Sequence, residues 1–377
     1  MAEFDIAQID VEATQATTKG RYNSLVMIDS THFIVAYTDT NGDGMIKTFS
    51  VDADGDNITQ IAELEHDTTS CTYNSLVMID STHFMLAYDY NGDAGRLRTF
   101  SIDGNYENIT TIDTLNHDTT KGVWNSLVKI DSTHFMLAYM GSSNNYGVVK
   151  TFSIDGSYST IAQIDVLEHD TAYGAQNSLV KIDSTHFALA YETVTGTYSG
   201  VIKTFSIDGS YDTITQIDSL EHRDIPTRYN SLVMIDSTHF ILAFSGEYNL
   251  DGIIKTFSID GSYGTITQID SFVHDTTIGE FSSLIQYDST HYILACAGAS
   301  RFGYIKTFSI DGSYDNIAEV NSLLHGGNIV GEDNSLIMLD TGILALAYSA
   351  TSDYGWIKTF SVAGGTVANT TNFFNFL

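Results

Sequence analysis

The stretch NSLVMIDSTHF, Asn23–Phe33, recurs letter for letter at Asn74–Phe84 and again at Asn230–Phe240. Aligning the chain on its Ser-Leu pair gives equivalent starts at Asn23, Asn74, Asn125, Asn177, Asn230, Ser282 and Asn334, spaced by 51 to 53 residues. A period of this size signals a closed or stacked array of supersecondary units, each too small to bury its own apolar face. Seven such units fill the chain.

Reading outward through the fourth unit, NSLVKID is a short strand, STH a turn, FALAYET a second strand and VTGTYSG a loop. VIKTFSID then makes a third strand, GSYDT a turn and ITQIDSLEH a fourth strand. The strands are rich in Val, Ile, Phe and Tyr, and Asp, Gly, Ser and Asn bound them, which is turn chemistry. No helical period interrupts them. Near-continuous apolar runs fit strands covered on both faces by neighbouring sheets. The expected fold is all-β, a seven-bladed β-propeller of four-stranded antiparallel blades, over a single domain spanning 1–377.

The blade grammar resembles that of WD40 and kelch-type propellers across the whole chain. A His follows the fourth strand, as in Leu64–Thr69 (LEHDTT), much like the Gly-His junction of a WD40 repeat. The Trp-Asp dipeptide is absent and the period is longer, so WD40 partners are not carried over. Ring closure is expected from the termini. Ile6–Asp10 (IAQID), within a segment at 5–12, is identical to the fourth-strand segment Ile161–Asp165, and should complete the last blade. The tail 364–377 is then surplus, and its apolar NFFNFL is expected to pack under the ring or on a partner.

Composition excludes some functions. Lys plus Arg number 16 against 47 Asp plus Glu, a formal net charge of −31, which repels nucleic acid and anionic membranes. No apolar run reaches membrane-span length, and the start MAEFDIAQID lacks signal-peptide features. A surface or particle-associated location is favoured over the cytoplasm, with the compartment left open. Cys71 and Cys296 occupy non-equivalent positions and imply neither disulfide nor zinc.

The turns sort by face. DSTH closes the first hairpin six times and DGSY the second in four units, whereas the loops after the second and fourth strands vary. Variation confined to one rim marks it as the surface free to be shaped. Tyr22, Tyr73, Trp124, Tyr229 and Phe281 precede the innermost strand near the channel mouth, and Tyr90, Tyr146, Tyr198, Tyr248, Phe302 and Tyr354 occupy the other variable loops. These eleven are the candidate ligand-binding residues, for stacking on sugars or anchoring a protein, with wedging between blades as the alternative.

Seven cations, Lys47, Arg98, Lys150, Lys203, Lys255, Lys306 and Lys358, share one third-strand position, where a neighbouring carboxylate is the expected partner; Lys129 and Lys181 lie in first strands. All 12 histidines fall at two repeat positions, which suggests hydrogen-bonded tethers in place of catalysis. Asp39, Asn41 and Asp43 in DTNGDG resemble the start of a calcium loop, but Ser50 stands where the bidentate Glu belongs, so a tight turn is the preferred reading and no cofactor is expected.

Three functions remain from the sequence. The leading expectation is a non-enzymatic, multivalent propeller that recognises a glycan or protein through its variable face. A structural component of a surface layer, appendage or virus particle, docking through the tail, is the second. The third is a glycoside hydrolase using two of Glu192, Glu247, Asp251, Glu280, Glu332, Asp333 and Asp353, although nothing in the sequence pairs any two of them.

Overall fold

A computed structural model describes residues 4–16, 19–142, 144–194, 198–246, 250–325, 330–340 and 342–363, with the side chains of 10–16 left out of account. The candidate Glu247, the aromatic Tyr248 and the tail 364–377 lie outside the described residues.

The chain is a seven-bladed β-propeller. It forms seven four-stranded antiparallel sheets, six of them ordered in sequence from the axis outward. In the first blade β2 (Arg21–Asp29) is innermost, followed by β3 (His32–Thr38), β4 (Gly44–Val51) and the outer β5 (Ile58–Asp67). The seventh blade, Glu332–Asp340, Ile343–Ser349 and Gly355–Val362, takes β1 (Ile6–Ala16) as its outer strand, with Ile6 opposite Val362 and Gln8 opposite Phe360.

Burial follows strand position. The middle strand β3 is buried at every residue after His32, while β5 alternates toward solvent. Each apolar cluster joins two neighbouring blades: Met85 and Leu97 of the second pack with Phe135, Leu137 and Phe152 of the third. The core therefore lies between the sheets, and the axis is left as a bore.

The repeated Asn-Ser-Leu has a physical cause. An innermost strand exposes one backbone edge to the bore, and unpaired edge groups are costly and template aggregation. Here each Leu N–H donates to the Ser hydroxyl of the preceding blade, as Leu76 to Ser24 (3.0 Å), Leu127 to Ser75 (3.0 Å) and Leu336 to Ser283 (3.0 Å). Leu25 closes the circle on Ser335 at 2.9 Å. In five blades the Asn side chain donates to the carbonyl of the mouth residue one blade back, as Asn74 to Tyr22 (3.1 Å) and Asn177 to Trp124 (3.1 Å), whereas Asn125 donates to Gly122 of its own blade.

The two histidine sets differ from one another. His83 Nδ1 lies 3.0 Å from Asp80, as a tether should. His66, His117, His169, His222, His274 and His325 are instead buried with neither ring nitrogen paired among the described residues, which corrects the hydrogen-bonding expectation for this set. They are packing pieces: a Cβ on Gly95 would come within 2.1 Å of the His117 ring, and that ring meets Tyr139 edge-on. The third-strand cations also differ from expectation. Several donate to the backbone carbonyl of these histidines, Lys255 to His222 and Lys306 to His274 at 2.6 Å each and the Arg98 guanidinium to His66; carboxylate pairing is added at Lys47–Glu63 and Lys306–Glu319 (3.1 Å each) and at Arg98–Asp67 (3.4 Å).

Both cysteines are buried and free. Among the described residues no helix is long and apolar enough to cross a membrane.

Candidate functional site

Every innermost strand begins with a bulge. Register shifts between Thr72 and Ser75, and at the equivalent place in the other blades, set one extra residue against the second strand. That residue takes a left-handed conformation: φ is 53° at Tyr22, 51° at Tyr73, 58° at Trp124, 58° at Gln176, 55° at Tyr229, 55° at Phe281 and 49° at Asp333. A bulge of this kind re-aims a side chain, and here it brings all seven to the variable-face mouth of the bore.

The mouth encloses about 420 Å³, lined by these seven residues, by Arg21 and Glu332, and by the one residue that follows each bulge, Asn in six blades and Ser282 in the sixth. Five aromatics cover two arcs. Tyr73 lies 4.9 Å from Tyr22 and 4.1 Å from Trp124, and Tyr229 lies 4.1 Å from Phe281, centroid to centroid. The rings are half-buried, serving both as wedges and as wall. Gln176 and Asp333 separate the arcs. Gln176 Oε1 accepts from the Tyr229 N–H at 3.0 Å.

Asp333 is the one carboxylate among the seven. Burial in the mouth pushes its pKa up to about 6, against the Tyr22 N–H, the Ser349 hydroxyl at 3.1 Å and the Arg21 charge, with Glu332 adding to the rise. Arg21 is fixed by Asp353 at 2.5 Å. Beside them Arg301 bridges Glu280 (3.2 Å) and Glu332 (3.0 Å), and burial raises the pKa of Glu280. These charged groups belong to blades six, seven and one.

The structure sorts the sequence candidates. Tyr22, Tyr73, Trp124, Tyr229 and Phe281 converge on the mouth; Tyr90, Tyr146, Tyr198, Phe302 and Tyr354 do not line it. Tyr90 instead carries the Arg96 guanidinium 3.4 Å above its ring, and Tyr146 packs on an interblade core. Of the acids, Glu332 and Asp333 line the mouth and Glu280 is tied to it, whereas Asp251 pairs with Arg223 at 3.1 Å. Asp39 Oδ1 accepts from the amides of Asn41 (2.8 Å) and Asp43 (2.9 Å) as a turn-forming carboxylate does, and among the described residues no three His, Cys, Asp or Glu group as metal ligands. Sequence alignment of the bulge position would have isolated Gln176 and Asp333, since each directly precedes its repeat's Asn.

The family described as Lactonase, 7-bladed beta-propeller, matches residues 31–193. No curated protein matches the chain. Among solved structures, a candidate 6-phosphogluconolactonase of Bacteroides fragilis NCTC 9343 aligns at TM-score 0.59 and 15% identity, covering 88% of this chain and 95% of that one. A second, from Bacteroides uniformis ATCC 8492, gives 0.57 and 14% over 87% and 92%. Saccharomyces cerevisiae Sqt1 gives 0.56 and 10% over 93% and 98%. At such identities these structures speak to the fold alone. The family match overturns the expectation of a non-enzymatic binding or assembly propeller.

Proposed function

We infer that the protein hydrolyses a small lactone at the variable-face mouth. The observation that carries this reading is Asp333, the single carboxylate in a ring of otherwise uncharged side chains, with its pKa near the working range of a general base. The family match over 31–193 supports the same class.

In this mechanism Asp333 takes a proton from water as the water oxygen attacks the lactone carbonyl. Arg21, held in place by Asp353, faces the negative charge that develops on the carbonyl oxygen. The ring C–O bond then breaks, and the departing alkoxide recovers the proton from Asp333. Tyr73 and Trp124 offer flat apolar faces for the lactone ring, and the Asn carboxamides polar edges for its hydroxyls.

Charge argues for an uncharged substrate. Arg21 and Arg301 are already committed to carboxylates and the chain carries −31, so a phosphorylated lactone would meet repulsion. The product is a hydroxycarboxylate, which the same field helps to expel.

The test is hydrolysis of uncharged aldonolactones and simple γ- and δ-lactones, followed by acid release. Asp333→Asn should lower kcat/KM by about 10²–10⁴-fold with the fold intact. Absence of wild-type turnover above the spontaneous rate would sink the reading.

A further inference from the structure

Below the mouth the innermost strands line a second cavity of about 610 Å³, in the size range of small-molecule sites. Its wall is mostly Leu, Val, Ile and Met side chains from the seven innermost strands. At one height four blades carry methionine (Met27, Met78, Met234 and Met338), while the third and fourth carry Lys129 and Lys181 and the sixth Gln286.

These polar residues each reach back one blade. Lys129 Nζ donates to the Ile79 carbonyl and Lys181 Nζ to the Ile130 carbonyl, both at 2.7 Å, and Gln286 Nε2 to the Ile235 carbonyl at 3.3 Å. The Gln shows that an uncharged donor suffices for this tether. The two positive charges are therefore surplus to it, and each ammonium keeps two further donors. Among the described residues neither lysine has an ion-pair partner, in a chain with a threefold excess of acids. Burial holds Lys129 below its usual pKa, with Lys181 adding to the fall and the more distant charges of Asp80 and Asp131, neither within ion-pair reach, opposing it. Asp340, which also borders the cavity, belongs to the seventh blade, across the ring from the third and fourth. The bore is thus an apolar tube with a cationic pair on one side of its lower end.

We propose that the bore binds an unbranched carboxylate with an alkyl tail, its head on Lys129 and Lys181 and its chain along the Leu-Val-Met wall. This site is distinct from the mouth and does not rest on the lactone reading. The surrounding negative field opposes entry of the anion, so association accelerates as salt screens it.

Calorimetric titration with dodecanoate, below its micelle concentration, and with dodecanol tests the assignment. The variant Lys129→Met/Lys181→Met places at both sites the residue that four other blades already carry, so the fold is retained. Dodecanoate should bind the native protein and lose about tenfold or more in affinity to the variant, while dodecanol binds both alike. The proposal is overturned if dodecanoate fails to bind, binds the variant equally, or loses no more than dodecanol does. Lactone turnover in the variant should be unchanged, which separates this outcome from any failure at the mouth.

Discussion

Tyr158 of the third blade donates its hydroxyl to Asp80 Oδ2 of the second at 2.8 Å, while its ring lies flat on His83 at a centroid distance of 3.7 Å. The same clasp joins Tyr106 to Asp29 and His32, Tyr211 to Asp131 and His134, Tyr263 to Asp183 and His186, and Tyr314 to Asp236 and His239. At the sixth blade Phe4 stacks on His291 at 3.4 Å in place of a tyrosine. Between blades seven and one both partners are gone: Gly342 precedes Ile343 where a histidine would stand, and a Cβ on the facing Gly55 would meet Ile343 at 3.2 Å. The monotony of DSTH and DGSY is thus a set of interblade locks. Tyr158→Phe should cost about 1 kcal/mol, a charge-assisted bond discounted for the exposure of Asp80, read as a fall in the urea midpoint at constant slope.

Acid should unfold the ring in two stages. The six buried histidines titrate in the fold at about 3, whereas the unfolded chain protonates them near 6.5. Below that value the unfolded state binds more protons, so stability falls as pH drops from roughly 6.5 toward 3, each group adding about 1.4 kcal/mol per pH unit. Asp80, Asp131 and Asp183 have folded values of about 2, so their contribution is present above roughly 4 and is lost between there and 2. Urea midpoints at pH 7.5, 6.0 and 5.0 check the first stage; a flat profile over that range would show that the histidines are hydrated in the fold.

Gly95 and Gly104 make a matched pair. A Cβ at Gly95 would lie 2.1 Å from the buried His117 ring, and one at Gly104 would meet nothing within 4 Å. Gly95→Ala should lose about 1–3 kcal/mol through overpacking, while Gly104→Ala is neutral or slightly stabilising. Thermal midpoints of the two variants decide this, and equal values would mean that the His66-type rings are not close-packed.

For lactone hydrolysis, kcat/KM should rise with pH through about 6 as Asp333 loses its proton and reach a plateau above it. Ser349→Ala removes a hydroxyl shared between the Gly20 carbonyl (2.6 Å) and the Asp333 carboxylate (3.1 Å), and so should shift that inflection upward while leaving the plateau within about threefold. An unmoved inflection would assign the base elsewhere.

Ser24 accepts from the Leu76 amide across the first blade junction at 3.0 Å. Ser24→Ala leaves that amide unpaired beside the bore and should cost about 1–3 kcal/mol, measured by chemical denaturation.

The fold was legible because repetition writes its own ruler: Asn23, Asn74, Asn125 and their successors fix the unit, and strand and turn chemistry fixes its interior. The sorting of loops by rim was legible for the same reason. Distances around the axis were not. Asp333 and Tyr22 are more than three hundred positions apart in the chain, and only closure of the ring makes the amide of one a donor to the carboxylate of the other. The sequence showed two histidine positions without distinguishing them, because His83 and His117 differ in what surrounds them and not in their repetition.

By itself, then, the chain determined the number of blades, their strand order and the rim left free to vary, since these follow from period and local propensity. Only the tertiary structure decided which aromatics meet, which carboxylates are raised toward neutrality and which lysines face the bore. Burial and mutual distance are properties of seven units converging on one axis, and no single unit carries them.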